Sequence, residues 1–465
     1  MPVKIKFLGG AGTVTGSSHL VSSDNSQILL DAGLFQGHRR DFYEVNTVLH
    51  YNPRKINALI ISHAHIDHCG NIPSLIKNGL RCKIYSTHAT KDLCRLMLED
   101  SAKIQEEDIK YVNKINRRLG QPMVKALYTK RDVSGAVRRI HPLAYGRNFV
   151  ACRDAKVILY NAGHILGSSI VVLDVKSDKA GSIKIGYAVD LGRKNLPMLD
   201  DPQVPPGLDY LIMESTYGGR VHAPIEEAKL RLKEVINQTI SRQGKILIPA
   251  FSLERTQEVI FLLNELFKEK SIPVIPIYVD SPLAAEITDS FVCHNDYMNS
   301  RTSEAICRGE NPFEFLNLRF VKDQQESKRL NVDKRPMLII AGSGMCESGR
   351  ILHHLKNNIE DSRNTILVVG YMAKDTLGRK IVERQRFVRI FGVEYQLNAE
   401  VMVINALSGH ADKNDLVNFV SACLPLKRIF LVHGEKEQSQ ILADVLIQSG
   451  LNVYMPEKDE EVELI

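Results

Sequence analysis

The sequence predicts an α/β protein in two interleaved parts, on three observations. Short apolar, β-branched runs (Ile28–Leu30, Ala58–Ile61, Val157–Tyr160, Ile185–Val189, Tyr210–Met213) each run out toward an acid, a histidine or a glycine, as buried strands with chemistry at their C-terminal ends do. From about residue 240 the rhythm becomes strand, polar turn, long amphipathic helix: Lys245–Ile248 before Phe251–Lys268, and Val274–Val279 before Pro282–Phe291. Such alternation builds βαβ units over a parallel sheet, and Met337–Ile340 and Thr365–Val369 read as two more of its strands. After about residue 395 short strands return at Val401–Asn405 and Arg428–Val432. A second α/β domain, residues 209–395, is therefore expected between two segments of the first, 1–208 and 396–465.

Composition sets the limits. With 465 residues, 44% hydrophobic and 25% charged, the chain can bury a large core, which excludes wholesale disorder. No apolar run approaches the roughly 18 residues of a spanning helix, and Pro2-Val3 leads straight into a strand at Lys4–Leu8 instead of a signal peptide. A cytoplasmic protein without a membrane partner is expected. Eight cysteines with no Cys-x-x-Cys pair argue against a disulfide framework and against a Cys-ligated zinc knuckle. The net charge of +6 is mild, but Lys114–Arg139 carries eight basic residues against Asp132. A segment of this kind either tracks phosphates or forms a solvated helix face.

The chemistry concentrates in His63-Ala64-His65-Ile66-Asp67-His68, directly after the strand Ala58–Ile61. Histidines two apart on an extended segment point to the same side, so His63 and His65 can share one metal ion while the following turn aims Asp67 and His68 at another. Imidazole and carboxylate together select a zinc-class ion over calcium or magnesium. Asp31, His164, Asp190, Glu214, His410 and His433 also lie at or just beyond strand ends, where each taken singly is a capping residue or a ligand. Gly9–Ser17 is glycine-rich but lacks the Gly-Lys-Ser/Thr ending of a phosphate loop, so it reads as a hairpin turn and no nucleotide cofactor is expected. His353 and His354 are adjacent on a helical pattern and face different directions, which argues against a metal role. Gly342-Ser343-Gly344, between a strand and a helix, could present backbone amides to a phosphate or form a plain turn. Arg255 and Arg350 are its nearest cations in sequence, or members of domain-internal ion pairs.

The H-x-H-x-D-H run resembles the metallo-β-lactamase superfamily. Asp31 in Leu29-Leu30-Asp31-Ala32-Gly33, His164 in Ala162-Gly163-His164 and Asp190 in Ala188-Val189-Asp190 follow in that family's order. The remainder is similar to one branch, the β-CASP nucleases, which include RNase J and the endonuclease subunit of the mRNA 3′-end cleavage factor. Met213-Glu214-Ser215-Thr216, Ser408-Gly409-His410-Ala411-Asp412 and Val432-His433-Gly434-Glu435 match the branch's motifs in turn. The resemblance implies an αββα sandwich with an inserted β-CASP domain, in a short form without KH modules. It implies two zinc ions, one on His63, His65 and His164, the other on Asp67, His68 and His433, with Asp190 bridging and Asp31 structural. Asp67 counts with the catalytic group, and His410, held by Glu214, becomes the candidate general acid. The implied substrate is single-stranded RNA, cut as an endonuclease, a 5′→3′ exonuclease or both, and a homodimer is left open. A small-molecule hydrolase of the same fold does not explain the insertion. DNA-repair members of the branch typically carry valine where this chain has His433, and a metal-free scaffold subunit would have lost ligands that are intact here.

Overall fold

Period-two alternation builds the first part of the molecule. In the strand Val3–Gly9, Val3, Ile5 and Phe7 are fully buried while Lys4 and Lys6 are partly exposed, as a pleated strand with one face on a core requires. The computed structural model describes residues 2–37, 39–177 and 181–465. By backbone proximity the chain divides into two compact units, Met1–Lys194 with Asp200–Val221 and His410–Ile465, and Asn195–Leu199 with His222–Gly409.

Among the described residues the first unit holds two seven-stranded sheets. One runs, in spatial order, Glu461–Leu464, Val3–Gly9, Ser18–Ser22, Gln27–Leu30, Ala58–Ile60, Lys83–Thr87, Ile140–Leu143; the other runs Val453–Tyr454, Arg428–Val432, Tyr210–Glu214, Gly181–Ala188, Ser169–Ser177, Ala155–Asn161, Phe149–Cys152. One apolar cluster takes Ile5, Phe7, Ile28 and Ile60 from the first sheet and Val157, Leu173, Ile185 and Phe430 from the second, so the sheets face each other. The opposite face of the second sheet needs its own cover, because successive residues point to opposite sides. Val172, Leu211 and Leu431 find it against Leu416, Phe419 and Leu446 of the helices Lys413–Ala422 and Lys436–Gln448. Strands covered on both faces read in sequence as continuous apolar runs, and the architecture is the expected αββα sandwich.

The second unit is a six-stranded parallel sheet in the order Leu318–Phe320, Ile277–Val279, Leu338–Ala341, Ile246–Pro249, Thr365–Val368, Glu400–Val403. Leu247, Ile339 and Ile366 pack against Ile351 and Leu355 of the helix Arg350–Asn358.

Local differences from the expected elements have identifiable causes. The strand expected from Val274 begins at Ile277, after Pro276, which has no N–H to give a ladder. The helix expected from Phe251 begins at Arg255, because Glu254 stands at φ 67 and cannot continue a right-handed turn. The first domain boundary, expected at 208/209, falls at 221/222 in the division into units, since Tyr210–Glu214 pairs in parallel with Ile185–Ala188 and with Arg428–Val432. The return, expected at 395/396, falls at 409/410, since Glu400–Val403 pairs with Thr365–Val368. Gly9–Ser17 closes an antiparallel hairpin, with Gly10, Gly12 and Gly16 at positive φ. No helix among the described residues is long and apolar enough to cross a membrane.

Candidate metal centre

Strand register assembles the site. Ala188 lies opposite Met213, and Glu214 opposite Val432, so three adjacent parallel strands end level and deliver Asp190, Glu214 and His433 side by side. His63 and His65 follow the strand Ala58–Ile60, His65 remaining extended (φ −64, ψ 147) just before the helix Ile66–Cys69 that carries Asp67 and His68. His164 follows the strand Ala155–Asn161. These exits approach so closely that two positions tolerate no side chain. A Cβ on Gly33 would stand 1.7 Å from the Asp67 carbonyl oxygen, and one on Gly192 would stand 1.9 Å from that of Gly163.

Two donor groups converge, His63 with His65, His164 and Asp190, and Asp67 with His68 and His433. Within them ring nitrogens face one another: His63 Nε2 to His65 Nδ1 is 3.1 Å, His164 Nε2 to His65 Nδ1 is 3.3 Å, and His68 Nε2 to His433 Nε2 is 3.3 Å. Zinc–nitrogen arms of about 2.0–2.1 Å at tetrahedral angles give N···N edges of about 3.3 Å, so the spacing fits that ion. Asp190 Oδ2 lies 3.5 Å from His63 Nε2, 3.5 Å from His68 Nε2 and 3.6 Å from His164 Nε2, and therefore touches both groups. Its Oδ1 is buried without a hydrogen bond although His433 Nδ1 stands 3.0 Å away. A buried carboxylate oxygen left so is costly unless a cation completes it.

The electrostatics agree. Burial pushes the His63 imidazole well below its ordinary range and His65 down to about 4, which leaves both rings neutral with lone pairs available. Burial would raise the Asp67 carboxyl, but the His68 and His433 charges hold it down to about 2. Around Asp190 and Asp67, burial would lower His68 and His433, and the two carboxylates instead raise both. The cluster thus draws positive charge toward its carboxylates.

A second tier of hydrogen bonds orients it. Asp31, fully buried, accepts from the Ser62 amide (2.7 Å), Ser62 Oγ (2.7 Å) and the Tyr187 hydroxyl (2.9 Å), and its Oδ2 stands 2.8 Å from His68 Nδ1. That contact places the His68 proton on Nδ1 and turns Nε2 toward the donors. Ser62 and Tyr187 escaped the sequence reading, where one is a loop serine and the other an aromatic residue in a strand. His410 Nδ1 lies 3.1 Å and 3.2 Å from the two Glu214 oxygens, and Glu214 also accepts the Leu191 amide at 2.5 Å. Burial lowers the His410 pKa, but the Glu214 and Asp190 charges outweigh it and the net shift is upward. Its ring centroid is 4.5 Å from that of His164, and its side chain keeps 22% exposure while Glu214 has none.

The second unit holds the other predicted residues. Ser343 Oγ accepts the amides of Glu347 (3.1 Å) and Ser348 (3.2 Å), folding the Gly342–Gly344 segment into a tight turn. Arg350 donates to the buried Asp280 at 2.5 Å and to the Val321 and Lys322 carbonyls, and Arg255 pairs with the buried Glu258. Both arginines therefore form the domain-internal ion pairs that were the alternative to phosphate binding. His354 Nε2 stands 2.6 Å from Asp280 in the same buried network, away from any metal group among the described residues.

A two-sheet sandwich whose strand ends gather five histidines and two aspartates into adjoining groups able to hold metal ions has the build of a metallo-hydrolase. Comparison with known proteins narrows the class. Residues 20–201 match the metallo-beta-lactamase superfamily domain, 256–381 the Beta-Casp domain, and 394–456 the Zn-dependent metallo-hydrolase RNA specificity domain. Ribonuclease TTHA0252 of Thermus thermophilus is 34% identical over 460 residues, 99% of this chain and 100% of its own length. The transcription termination factor FttA of Pyrococcus horikoshii is 34% identical over 481 residues, 99% of this chain and 71% of its own, and that of Lokiarchaeum sp. is 31% identical over 474 residues, 100% and 71%. A crystal structure of a protein of unknown function from Enterococcus faecalis V583 shares the fold, with a TM-score of 0.56 and 13% identity across the whole of both chains. The chain belongs to the Beta-Casp family of zinc-dependent metallo-hydrolases within the metallo-β-lactamase superfamily.

Proposed function

We propose that the protein hydrolyses phosphodiester bonds of single-stranded RNA at a two-zinc centre, as an endonuclease, a 5′→3′ exonuclease or both, in the cytoplasm. The observation that carries this reading is the convergence of both donor groups on Asp190 Oδ2. His63, His65 and His164 would hold one ion, Asp67, His68 and His433 the other, and Asp190 both. Zinc bound there supplies Lewis acidity and a water of pKa about 7, acidic enough to provide the nucleophile at neutral pH. Asp190 and Asp67 stay ionised to balance the cations. Asp31 keeps the His68 proton on Nδ1. The 3′ oxygen of an RNA strand is a poor leaving group and needs a proton, which His410 gives from the ring edge opposite its Glu214-bound Nδ1. The Glu214 and Asp190 charges shift its pKa upward, the direction that favours holding that proton. Phosphate contacts in the second unit fall to the Gly342-Ser343-Gly344 turn, with Arg255 and Arg350 bracing the surrounding structure through Glu258 and Asp280. The reading involves no nucleotide cofactor, and Gly9–Ser17 enters it only as a hairpin loop.

The test is direct. Elemental analysis should give close to two zinc equivalents per chain, and chelation should abolish cleavage of single-stranded RNA. Product ladders on 5′-labelled and 3′-labelled RNA then separate the two modes. Full activity in a metal-free preparation would sink the proposal.

A further inference from the structure

In the second unit a cavity of about 470 Å³ lies where the adjacent parallel strands Ile246–Pro249 and Thr365–Val368 begin, at the opposite end of the sheet from the Gly342–Gly344 turn. Its charged lining sets Lys245, Lys334, Lys356 and Arg363 against Glu360 and Asp361. The acids are already engaged. Asp361 accepts the Arg363 amide at 3.0 Å and its guanidinium at 3.1 Å and 2.7 Å, and Glu360 accepts the Gln396 amide at 3.1 Å. No ion pair engages Lys245, Lys334 or Lys356 among the described residues.

Lysine is almost never buried without a charged partner. Lys245 is nevertheless only 4% exposed, and among the described residues its Nζ has one hydrogen-bond partner, the Leu330 carbonyl at 2.9 Å. Burial pushes this ammonium down to about 8; the Lys334 charge acts in the same direction, and the Asp333 and Asp361 charges oppose them. Its nitrogen therefore feels the charges of the cavity wall. Asp333 is itself held by Arg335 at 2.6 Å. Helix ends explain part of the arrangement, since Lys356 stands in the last turn of Arg350–Asn358 and Leu330 in the last turn of Gln324–Val332. They use one of the three ammonium donors of Lys245 and give no reason for a cavity beside it. A buried cation in that position is costly unless an anion completes it.

We propose that this cavity binds a small molecule carrying a phosphate monoester, with the phosphate against Lys245 and with Lys334 and Lys356 on the same wall. Lysine ammoniums hold phosphate as point charges, and a dianion meets the excess of cations over acids. The volume falls within the roughly 300–1,000 Å³ of small-molecule sites and leaves room for the body of the ester. An RNA strand suits the site less well, because its diester phosphates track exposed cations along an open groove, whereas Lys245 is withdrawn from the surface. No residue of the lining belongs to the metal-binding groups, so the site is separate from the proposed catalytic centre.

Calorimetry on the full chain with adenosine 5′-monophosphate, inorganic phosphate and adenosine as probes tests this. The monophosphate should bind saturably at about 1 mM or tighter, the affinity that a few charge-assisted hydrogen bonds support; phosphate should bind more weakly and adenosine not at all. Lys245→Met keeps the length of the side chain and removes its charge, so the monophosphate should bind roughly tenfold more weakly or worse, and it should raise the Tm of the parent but not of this variant. Lys334→Glu and Lys356→Glu alter exposed side chains and should each weaken binding by a few-fold; they decide the matter should Lys245→Met fail to fold. No saturable binding of the monophosphate up to roughly 10 mM, or equal affinity in the parent and all three variants, overturns the proposal. So does binding that survives Lys245→Met and disappears in His63→Ala, which would place it at the metal centre. A fall in the salt dependence of RNA binding in Lys334→Glu and Lys356→Glu, with monophosphate affinity unchanged, would likewise overturn it and assign these lysines to RNA.

Discussion

Replacing Asp31 with asparagine isolates how the donor cluster is held in place. Asp31 stands at φ 59, a conformation asparagine adopts more readily than most residues, so the backbone is undisturbed and only hydrogen bonding changes. The carboxylate meets four donor groups, the Ser62 amide at Oδ1 and Ser62 Oγ, His68 Nδ1 and the Tyr187 hydroxyl at Oδ2. Asparagine keeps one oxygen. If that oxygen retains the Ser62 amide, an NH2 faces the other three; the two hydroxyls can turn to accept, but His68 cannot do so and keep its proton on Nδ1. Leaving that donor buried and unpaired costs about 1–3 kcal/mol. Moving the proton to Nε2 removes the lone pair that faces His433, a loss of roughly 10–100-fold in metal affinity, or about 1.4–2.7 kcal/mol. The two routes are similar in size, so both should be partly taken. Competition with a zinc chelator should report a 10–100-fold loss at one ion, and urea unfolding of metal-stripped protein a loss of about 1–3 kcal/mol. Zinc affinity equal to the parent's, with or without a stability loss, would refute the tautomer argument and leave Asp31 a residue of the fold alone.

Three further outcomes follow from the same geometry. His410→Ala should keep both zinc ions and RNA binding yet lose roughly 10²–10⁴-fold in rate on RNA, while an aryl phosphodiester, whose leaving group needs no proton, is hydrolysed at nearly the parent rate; equal losses on both substrates would remove His410 from the acid's role. His19 is fully buried against Phe7 and Tyr187 with neither ring nitrogen hydrogen-bonded, and burial, reinforced by the His68 and His433 charges, pushes it down to about 3. Its folded pKa lies below its unfolded value, so the unfolded chain takes up the proton first and stability falls as the pH drops from about 6.5 toward 3, by up to about 1.4 kcal/mol per pH unit; His19→Phe should flatten that slope in acid unfolding curves, and an unchanged slope would assign it to other groups. Gly192→Ala should disturb His164, Asp190 and His410 together, because its Cβ would sit 1.9 Å from the Gly163 carbonyl and Gly192 bridges to His410; a variant with parental zinc content and activity would show that these exits have slack the geometry denies.

Which parts of this were legible in the sequence follows from where the information lies. The donors were readable because residue type and local position coincide. A strand buried on both faces admits polar side chains at its ends, so an aspartate or histidine within two residues of Leu29-Leu30, Ala58–Ile61 or Ile429–Val432 is out of place unless it has work to do. Tyr187 was not readable. It lies on the inward face of its strand, where an aromatic residue reads as packing, and its bond to Asp31 spans 156 residues and two sheets. Arg350 was ambiguous for the same reason, since its partner Asp280 lies 70 residues upstream, just past the end of the strand Ile277–Val279. The difference between the expected boundary at 208/209 and the unit division at 221/222 has another cause. Val204-Pro205-Pro206-Gly207 marks a break in the chain, but nothing local says that the following strand, Tyr210–Glu214, rejoins the sheet it has just left.

That pairing carries a consequence for how the centre forms. Asp190, Glu214 and His433 stand side by side because three parallel strands keep one register, and the last of these strands, Arg428–Val432, reaches the sheet only after the chain has passed through the second unit. The group His63, His65, His164 and Asp190 is supplied entirely by residues 63–190, whereas the group Asp67, His68 and His433 is incomplete until the last strand docks. On the proposed two-zinc reading, coupling of metal binding to folding should therefore differ between the two ions. The first can be held by the first segment of the chain, and the second reports that the returning segment is in register. Mutations that loosen the pairing of Tyr210–Glu214 with Arg428–Val432 should accordingly release the ion on Asp67, His68 and His433 first. A chelator titration following two separable zinc populations would resolve that order, and simultaneous release of both ions would contradict it.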